Sequence, residues 1–346
     1  MSNPLFSIMG ADAQYLLTKV ESTNFKNKKI LITGASGLIG LNLLAFFKAV
    51  KERCEGNLSV TGIIHSEPNE VIKHFAFADG FSLIVGDLTD PEFIKNIGKF
   101  DFIIHAASYG QPGRFMSDPI KTLKLNTVAT FELFKLLEEG GTFLFISTSE
   151  VYSGNPELPY REDQIGRTNT THPRACYIEA KRCGEAICNS YRSMGVKAHS
   201  ARLALAFGPG TKEDDQRVLN VFIKRALLTD KLTMQDMGHA IRTYCYITDA
   251  IEIMLNILLT GKEALYNVGG VEKITIASLA SDIAGYLGVP VQFPVNIQTM
   301  SDAPEDVSLD MGLVKKEFGK TSFVPFIEGL KKTIEWQKSL HKKDGQ

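Results

Sequence analysis

The chain has 346 residues, 44% of them apolar and 22% charged, which supplies a packed core and excludes global disorder. At roughly 150 residues per domain it holds two domains, or one large domain with an appended lobe. Lys and Arg number 38 against 39 Asp and Glu, and the net charge of −1 carries no basic nucleic-acid footprint.

Residues 1–28 read as an extension, with one or two helical turns over 13–20 resting on the surface of the main domain. No basic stretch followed by a long apolar run opens the chain, so no signal peptide is expected. No apolar run reaches the roughly 18 residues of a membrane span. Five cysteines, odd in number and mostly inside helical or strand patterns, fit reduced thiols and a cytoplasmic location.

From Lys29, short apolar runs alternate with longer amphipathic stretches. The runs at 29–33, 59–64, 81–85, 102–106 and 142–147 read as strands, and 38–51, 120–139 and 175–193 read as helices. A strand over 197–207, a polar loop, and helices over 218–229 and 248–259 follow. The alternation predicts an α/β fold, a doubly wound parallel sheet of Rossmann type with a smaller C-terminal substrate-binding lobe. The expected division is a dinucleotide-binding domain over 29–206 plus 239–262, and a lobe over 207–238 and 263–346. The terminal 341–346 read as a solvated basic tail.

Ligands of such sheets bind beyond the carboxyl ends of the strands. The first strand runs into Gly34-Ala35-Ser36-Gly37-Leu38-Ile39-Gly40, which opens a helix. Glycines there let backbone N–H groups approach a pyrophosphate at the positive end of a helix, so this loop predicts dinucleotide binding. After the second strand, His65 stands where an acidic residue would hold the adenosine ribose. No Arg or Lys lies between Gly62 and Glu70 to hold a 2′-phosphate, which favours NAD over NADP. Asp87 and Leu88 are expected to border the adenine, and Ala106, Ala107 and Ser108 to admit the dinucleotide closely.

Tyr177 and Lys181 lie four residues apart on a predicted helix and share a face. An ammonium beside a phenol lowers its pKa and makes a base for a hydroxyl proton. The strand ending in Thr148-Ser149-Glu150 adds a hydroxyl for the same oxygen and a carboxylate for a second proton transfer. The seven histidines show no paired ligand spacing, so no metal is expected. His105 reads as a packing residue and Cys176 as a small buried one.

Together TGASGLIG, HAAS, STSEVY, YIEAK and RTYCYITD resemble the extended short-chain dehydrogenase/reductases that modify nucleotide sugars, over about residues 28–340. The resemblance implies an NAD(P)-binding Rossmann domain, a lobe for the nucleotide sugar, and a homodimer joined by a four-helix bundle from 120–139 and 175–193. Within that family, DPIKTLKLNT, PRACYIEAKR and DDQRVLNVFI look most like the UDP-glucuronate decarboxylase branch. The likeness places Thr148, Tyr177 and Lys181 in the oxidation step, and Ser149, Glu150 and Arg242 in decarboxylation. Arg217 matches a diphosphate-gripping arginine, and Asn126 an asparagine near the active site. Three departures surround the sugar site: Leu205 where relatives carry Asn, Gly210 where decarboxylases carry Arg, and a different loop over 108–114. Tyr109 and Arg114 of that loop are expected on the substrate.

A ketone at C4 of the sugar opens three routes: loss of carbon dioxide, loss of the C6 hydroxyl, or C4 epimerisation. Ser149 stands where dTDP-glucose dehydratases carry an acidic residue, which disfavours that class but leaves GDP-mannose dehydratases open. The expected activity is NAD-dependent decarboxylation of UDP-glucuronate to a UDP-pentose, with 4,6-dehydration or C4 epimerisation as alternatives. A non-enzymatic NAD(P) sensor commonly lacks the Tyr or the Lys, and both are present here.

Overall fold

Six apolar segments pair as β1 (Lys29–Thr33), β2 (Ser59–Ile64), β3 (Phe81–Val85), β4 (Phe100–His105), β5 (Leu137–Thr148) and β6 (Lys197–Leu203). The computed structural model describes residues 4–53, 56–294 and 306–341. A seventh strand, Leu265–Val268, pairs beyond β6, and the parallel order is Leu265–Val268, β6, β5, β4, β1, β2, β3. The order reverses between β1 and β4, so a crevice opens where those strands end.

Both faces of the sheet are covered, as continuous apolar runs require when successive side chains point to opposite faces. Ile30, Ile32, Ile104 and Leu144 enter one apolar cluster with helices Leu38–Arg53 and Ile247–Thr260. Leu31, Ile103, Phe143 and Phe145 enter the other with Leu125, Leu133 and Ile187.

Four expectations shift. The single helix over 120–139 is two helices, Pro119–Asn126 and Val128–Phe134, broken at Thr127, and β5 begins at Leu137. Pairing of Leu137 with Phe100 overrides the helical preference of Leu-Glu-Glu. The strand over 197–207 breaks at Leu205, whose φ of +44 ends β6 before Ala206–Phe207 resumes. Leucine meets a steric penalty there that asparagine tolerates better.

The lobe boundaries move as well. Leu265–Val268 lies in the main sheet, whereas Ile241–Thr243 pairs with Lys273–Thr275 and Asp306–Val307 in a small sheet of its own. Finally, the N-terminal segment is more than a surface turn. Helix Pro4–Leu16 buries Leu5, Met9, Ala13 and Leu16 in the main apolar cluster. Its buried Asp12 accepts hydrogen bonds from Tyr246 Oη and from Lys332 Nζ. Residues 342–346 of the tail and Cys54 lie outside the described residues.

Candidate active site

The chain turns from β1 into helix Leu38–Arg53 through the glycine loop. Gly34 has φ +68, and a Cβ there would stand 2.8 Å from the Ala106 carbonyl oxygen. A Cβ on Gly40 would stand 2.4 Å from the Gly34 oxygen. A side chain at Gly34 would push the loop off the end of β4, and one at Gly40 would push the helix off the turn at Gly34 and Ala35.

β5 delivers Ser147 and Thr148 to the same edge. The next turn, Ser149–Tyr152, is capped by the Thr148 hydroxyl, which accepts from the Glu150 N–H at 3.2 Å. Helix Ala175–Ser193 packs against β5, β6 and this turn. Ser147 donates to Glu185 of the helix, and Glu185 also holds Arg202 of β6 at 2.8 Å. That buried network fixes the register of Tyr177 and Lys181 against the strand ends. Tyr177 stacks on Phe115 with centroids 4.5 Å apart. Lys181 Nζ donates to the Ile146 carbonyl at 2.6 Å and lies 5.8 Å from the Tyr177 ring.

A cavity of about 390 Å³ gathers these groups. Its wall contains Gly34, Gly37, Leu38, Ile39, Gly40, Ala106, Ser108, Tyr109, Arg114, Thr148, Ser149, Glu150, Tyr177, Lys181 and Arg217, all expected from the sequence. Leu205 is in the wall too, and Arg174, Lys212 and Asp215 join it without having been foreseen.

Other expected residues stand elsewhere. Ser36 lines an adjoining cavity with Ser66 and Glu67. Ala107 is held by its N–H on Thr33 Oγ1 at 3.2 Å, and Leu88 is buried in an apolar cluster. Asn126 sits behind the wall, donating to Ser108 Oγ at 3.1 Å, with its Oδ1 buried and unpaired. His65 and Asp87 meet Lys121, at 3.4 Å and 2.8 Å. The fold thus brings a lysine beside His65 that the local sequence lacked, its charge matched by Asp87. Burial raises the Asp87 carboxyl, but the Lys121 and Thr89 hydrogen bonds outweigh it and bring it to about 2. Arg242 is not in the cavity wall; it donates to the Ile241 carbonyl at 2.7 Å within the small sheet.

Burial dominates the electrostatics of the site. It pushes the Tyr177 phenol up to about 12, against the Thr148 hydrogen bond. It pulls the Lys181 ammonium down to about 7, with Glu185 opposing. The lowering of Tyr177 expected from Lys181 is therefore absent here: the phenol is desolvated and the ammonium is itself disfavoured. Glu150 is raised by burial, opposed by Arg174 and His172. Arg174 Nη2 donates to Glu150 Oε1 at 2.5 Å. Arg217 grips Asp215 through Nε and Nη2, and Arg114 pairs with Asp214. Burial lifts the Asp215 carboxyl, yet Arg217 holds it below its ordinary value. Buried His105 is pushed down to about 3 by desolvation and bonds Thr33 and the Leu125 carbonyl, a packing role. Cys176 is half-buried.

The model of the NAD dependent epimerase/dehydratase family matches residues 30–269. The chain belongs to that family. It is similar to UDP-glucuronic acid decarboxylase 1 of Danio rerio, 33% identical over 89% of this chain and 72% of that one. UDP-glucuronic acid decarboxylase 6 of Arabidopsis thaliana is 29% identical over 88% of this chain and 87% of that one. Among solved structures, DesIV, a dTDP-glucose 4,6-dehydratase of Streptomyces venezuelae with NAD bound, shares the fold with a TM-score of 0.77 at 20% identity. That likeness covers 90% of this chain and 97% of that one.

As a member of the epimerase/dehydratase family the protein is an enzyme that uses NAD. The site fits that cofactor. The Gly34 and Gly40 contacts leave no room for side chains in the loop, and the N–H groups that open helix Leu38–Arg53 offer the donors a pyrophosphate needs. No helix among the described residues is long and apolar enough to cross a membrane.

The buried Lys181 makes a prediction about stability. Its folded value near 7 lies below the ordinary 10.5, so the unfolded chain binds more protons between those limits. Its cost to the fold is full below pH 7 and is relieved as pH rises toward 10.5. Lys181→Met should abolish turnover yet stabilise the cofactor-free protein by about 1–3 kcal/mol at neutral pH. Urea unfolding at neutral and alkaline pH checks it: the wild type should gain on the variant as pH rises.

Proposed function

We propose that the protein converts UDP-glucuronate to a UDP-pentose through a 4-keto intermediate. The observation that carries this reading is the convergence of Thr148, Ser149, Glu150, Tyr177 and Lys181 on one cavity, with a serine before Glu150. A serine is too weak an acid to expel a C6 hydroxyl. The decarboxylase relatives, alike over most of the chain, support the substrate. Among the site residues the cofactor set is Gly34, Gly37, Leu38, Ile39 and Gly40, with Ser36 and the His65–Lys121–Asp87 group toward the adenosine.

Thr148 Oγ1 and Tyr177 Oη hold the sugar O4, and Tyr177 accepts its proton. Lys181 stands 5.8 Å from the Tyr177 ring, and its protonated fraction, about half at neutral pH, favours the phenolate that Tyr177 must supply. Bound NAD supplies a reversible two-electron acceptor for the C4–H hydride. The ketone makes C6 the carboxylate of a β-keto acid, so the C5–C6 bond breaks with its electron pair delocalised onto O4. Glu150 returns a proton to C5. Arg217 and Arg114 exchange their aspartates for the diphosphate, where a guanidinium fork matches paired oxygens. A mass-spectrometric screen of nucleotide sugars with the NAD-loaded protein tests the reading: UDP-glucuronate should lose carbon dioxide, and UDP-glucose should stay unchanged.

The partner in solution is a second copy. Helices Pro119–Asn126 and Val128–Phe134 pack on Ala175–Ser193 and leave Ile120 and Phe131 62% and 47% exposed. Apolar side chains in the open along a helix pair favour burial against a copy of themselves. Sedimentation should give a dimer, and Phe131→Glu a monomer. The described cysteines are free thiols, consistent with a reducing cytoplasm.

A further inference from the structure

Arg174 and Glu150 form an incomplete pair in the wall of the active-site cavity. Arg174 donates through Nη2 to Glu150 Oε1, while Arg174 Nε and Glu150 Oε2 are both buried with no partner. A guanidinium and a carboxylate can form two parallel hydrogen bonds; here a donor and an acceptor are left over. The guanidinium lies 5.8 Å from the Phe115 ring, and Phe115 stacks on Tyr177. It is thus one ring away from the phenol that handles O4, and C6 is two bonds from C4. The other cations of the wall are otherwise engaged: Arg114 holds Asp214, Arg217 holds Asp215, and Lys181 holds the Ile146 carbonyl. Lys212 stands beside Arg114 and Asp214.

On the decarboxylase reading, we propose that Arg174 selects the substrate by taking its C6 carboxylate in exchange for Glu150, and that the released Glu150 carries the proton that ends on C5. The groups facing Glu150 are Tyr177 from the helix, Arg174 and His172 from the segment before it, and Thr148 and Ser149 next to it in its own segment. Once Arg174 turns to a second carboxylate, burial and the new negative charge both favour protonated Glu150. One proton is taken up from solvent. When the C5–C6 bond breaks, carbon dioxide leaves without charge, the enolate takes the Glu150 proton at C5, and the carboxylate of Glu150 pairs with Arg174 again. One proton enters and one C5–H bond forms; the cycle closes once the C4 ketone regains its hydride and Tyr177 gives O4 back its proton.

The test uses NAD-loaded protein carrying Tyr177→Phe to stop turnover. UDP-glucuronate and UDP-glucose are titrated calorimetrically in buffers of different ionisation enthalpy. Binding of UDP-glucuronate should take up about one proton, and binding of UDP-glucose about none. Adding Arg174→Met should weaken UDP-glucuronate about tenfold or more, change UDP-glucose less than about threefold, and remove the proton uptake. Arg174→Lys should keep part of the preference. Equal weakening of both ligands would make Arg174 a structural residue and overturn the proposal, as would no proton uptake with Arg174 intact. Failure of the wild type to form UDP-pentose would instead sink the decarboxylase reading, whatever the binding ratio.

Discussion

Replacing Tyr177 with Phe is expected to lower turnover about 10²–10⁴-fold while NAD binds nearly as well as to the wild type. The substitution removes one hydroxyl. The ring stays stacked on Phe115, and Lys181 keeps its bond to the Ile146 carbonyl. The lost group is the base for the O4 proton, so the barrier rises only where that proton moves. Steady-state rates and a fluorescence titration of NAD check the two halves separately. A variant with near wild-type rates would remove Tyr177 from the role of base. Equal loss of rate and NAD affinity would make it a binding residue.

Glu150→Gln should separate the second half of the reaction from the first, slowing overall turnover about 10²-fold. The amide fills the same space and still accepts from Arg174, but it has no proton to give at C5. Oxidation at C4 uses Thr148, Tyr177 and Lys181 and should remain fast. Reduced cofactor should therefore accumulate in a single-turnover experiment with the variant and not with the wild type. The pH profile carries a second signature. Burial raises the Glu150 carboxyl, and the step needs its protonated form, so wild-type activity falls as pH climbs through that raised value. The variant has no such group, and this alkaline limb should vanish from its profile. Accumulation without any change in the limb would assign the proton to another donor.

Much of this site is local in the chain. The glycine loop, the Thr148–Glu150 turn and the Tyr177–Lys181 pair are each a few residues long, and each is placed by the element that carries it. Strand cores such as 30–32 (Ile-Leu-Ile) are apolar throughout, so their burial on both faces is legible. What stayed hidden is made by pairs distant in sequence. Arg174 meets Glu150 across 24 residues, and Lys121 meets Asp87 across 34. Arg174 has one local signal, since it caps the helix that carries Tyr177 and precedes that residue by three. Arg242 had the opposite problem: its residue type suited the chemistry, but pairing of Ile241–Thr243 with two short strands sets it outside the wall. The helical pattern over 120–139 failed because Leu136 and Leu137 satisfy a strand as well as a helix, and the neighbouring β4 decides. The burial of helix Pro4–Leu16 is hard to see in the sequence because Gly10 and Asp12 dilute its apolar stripe, although Asp12 is among its most deeply buried residues.

The central claim is that a 4-keto uronate loses C6 in this cavity. UDP-glucuronate labelled at C6, incubated with the NAD-loaded protein, should release one labelled carbon dioxide for each UDP-pentose formed, and the pentose should carry no label. No labelled gas, together with a 4-keto-6-deoxy product from UDP- or GDP-hexoses, would contradict the account and assign the site to dehydration.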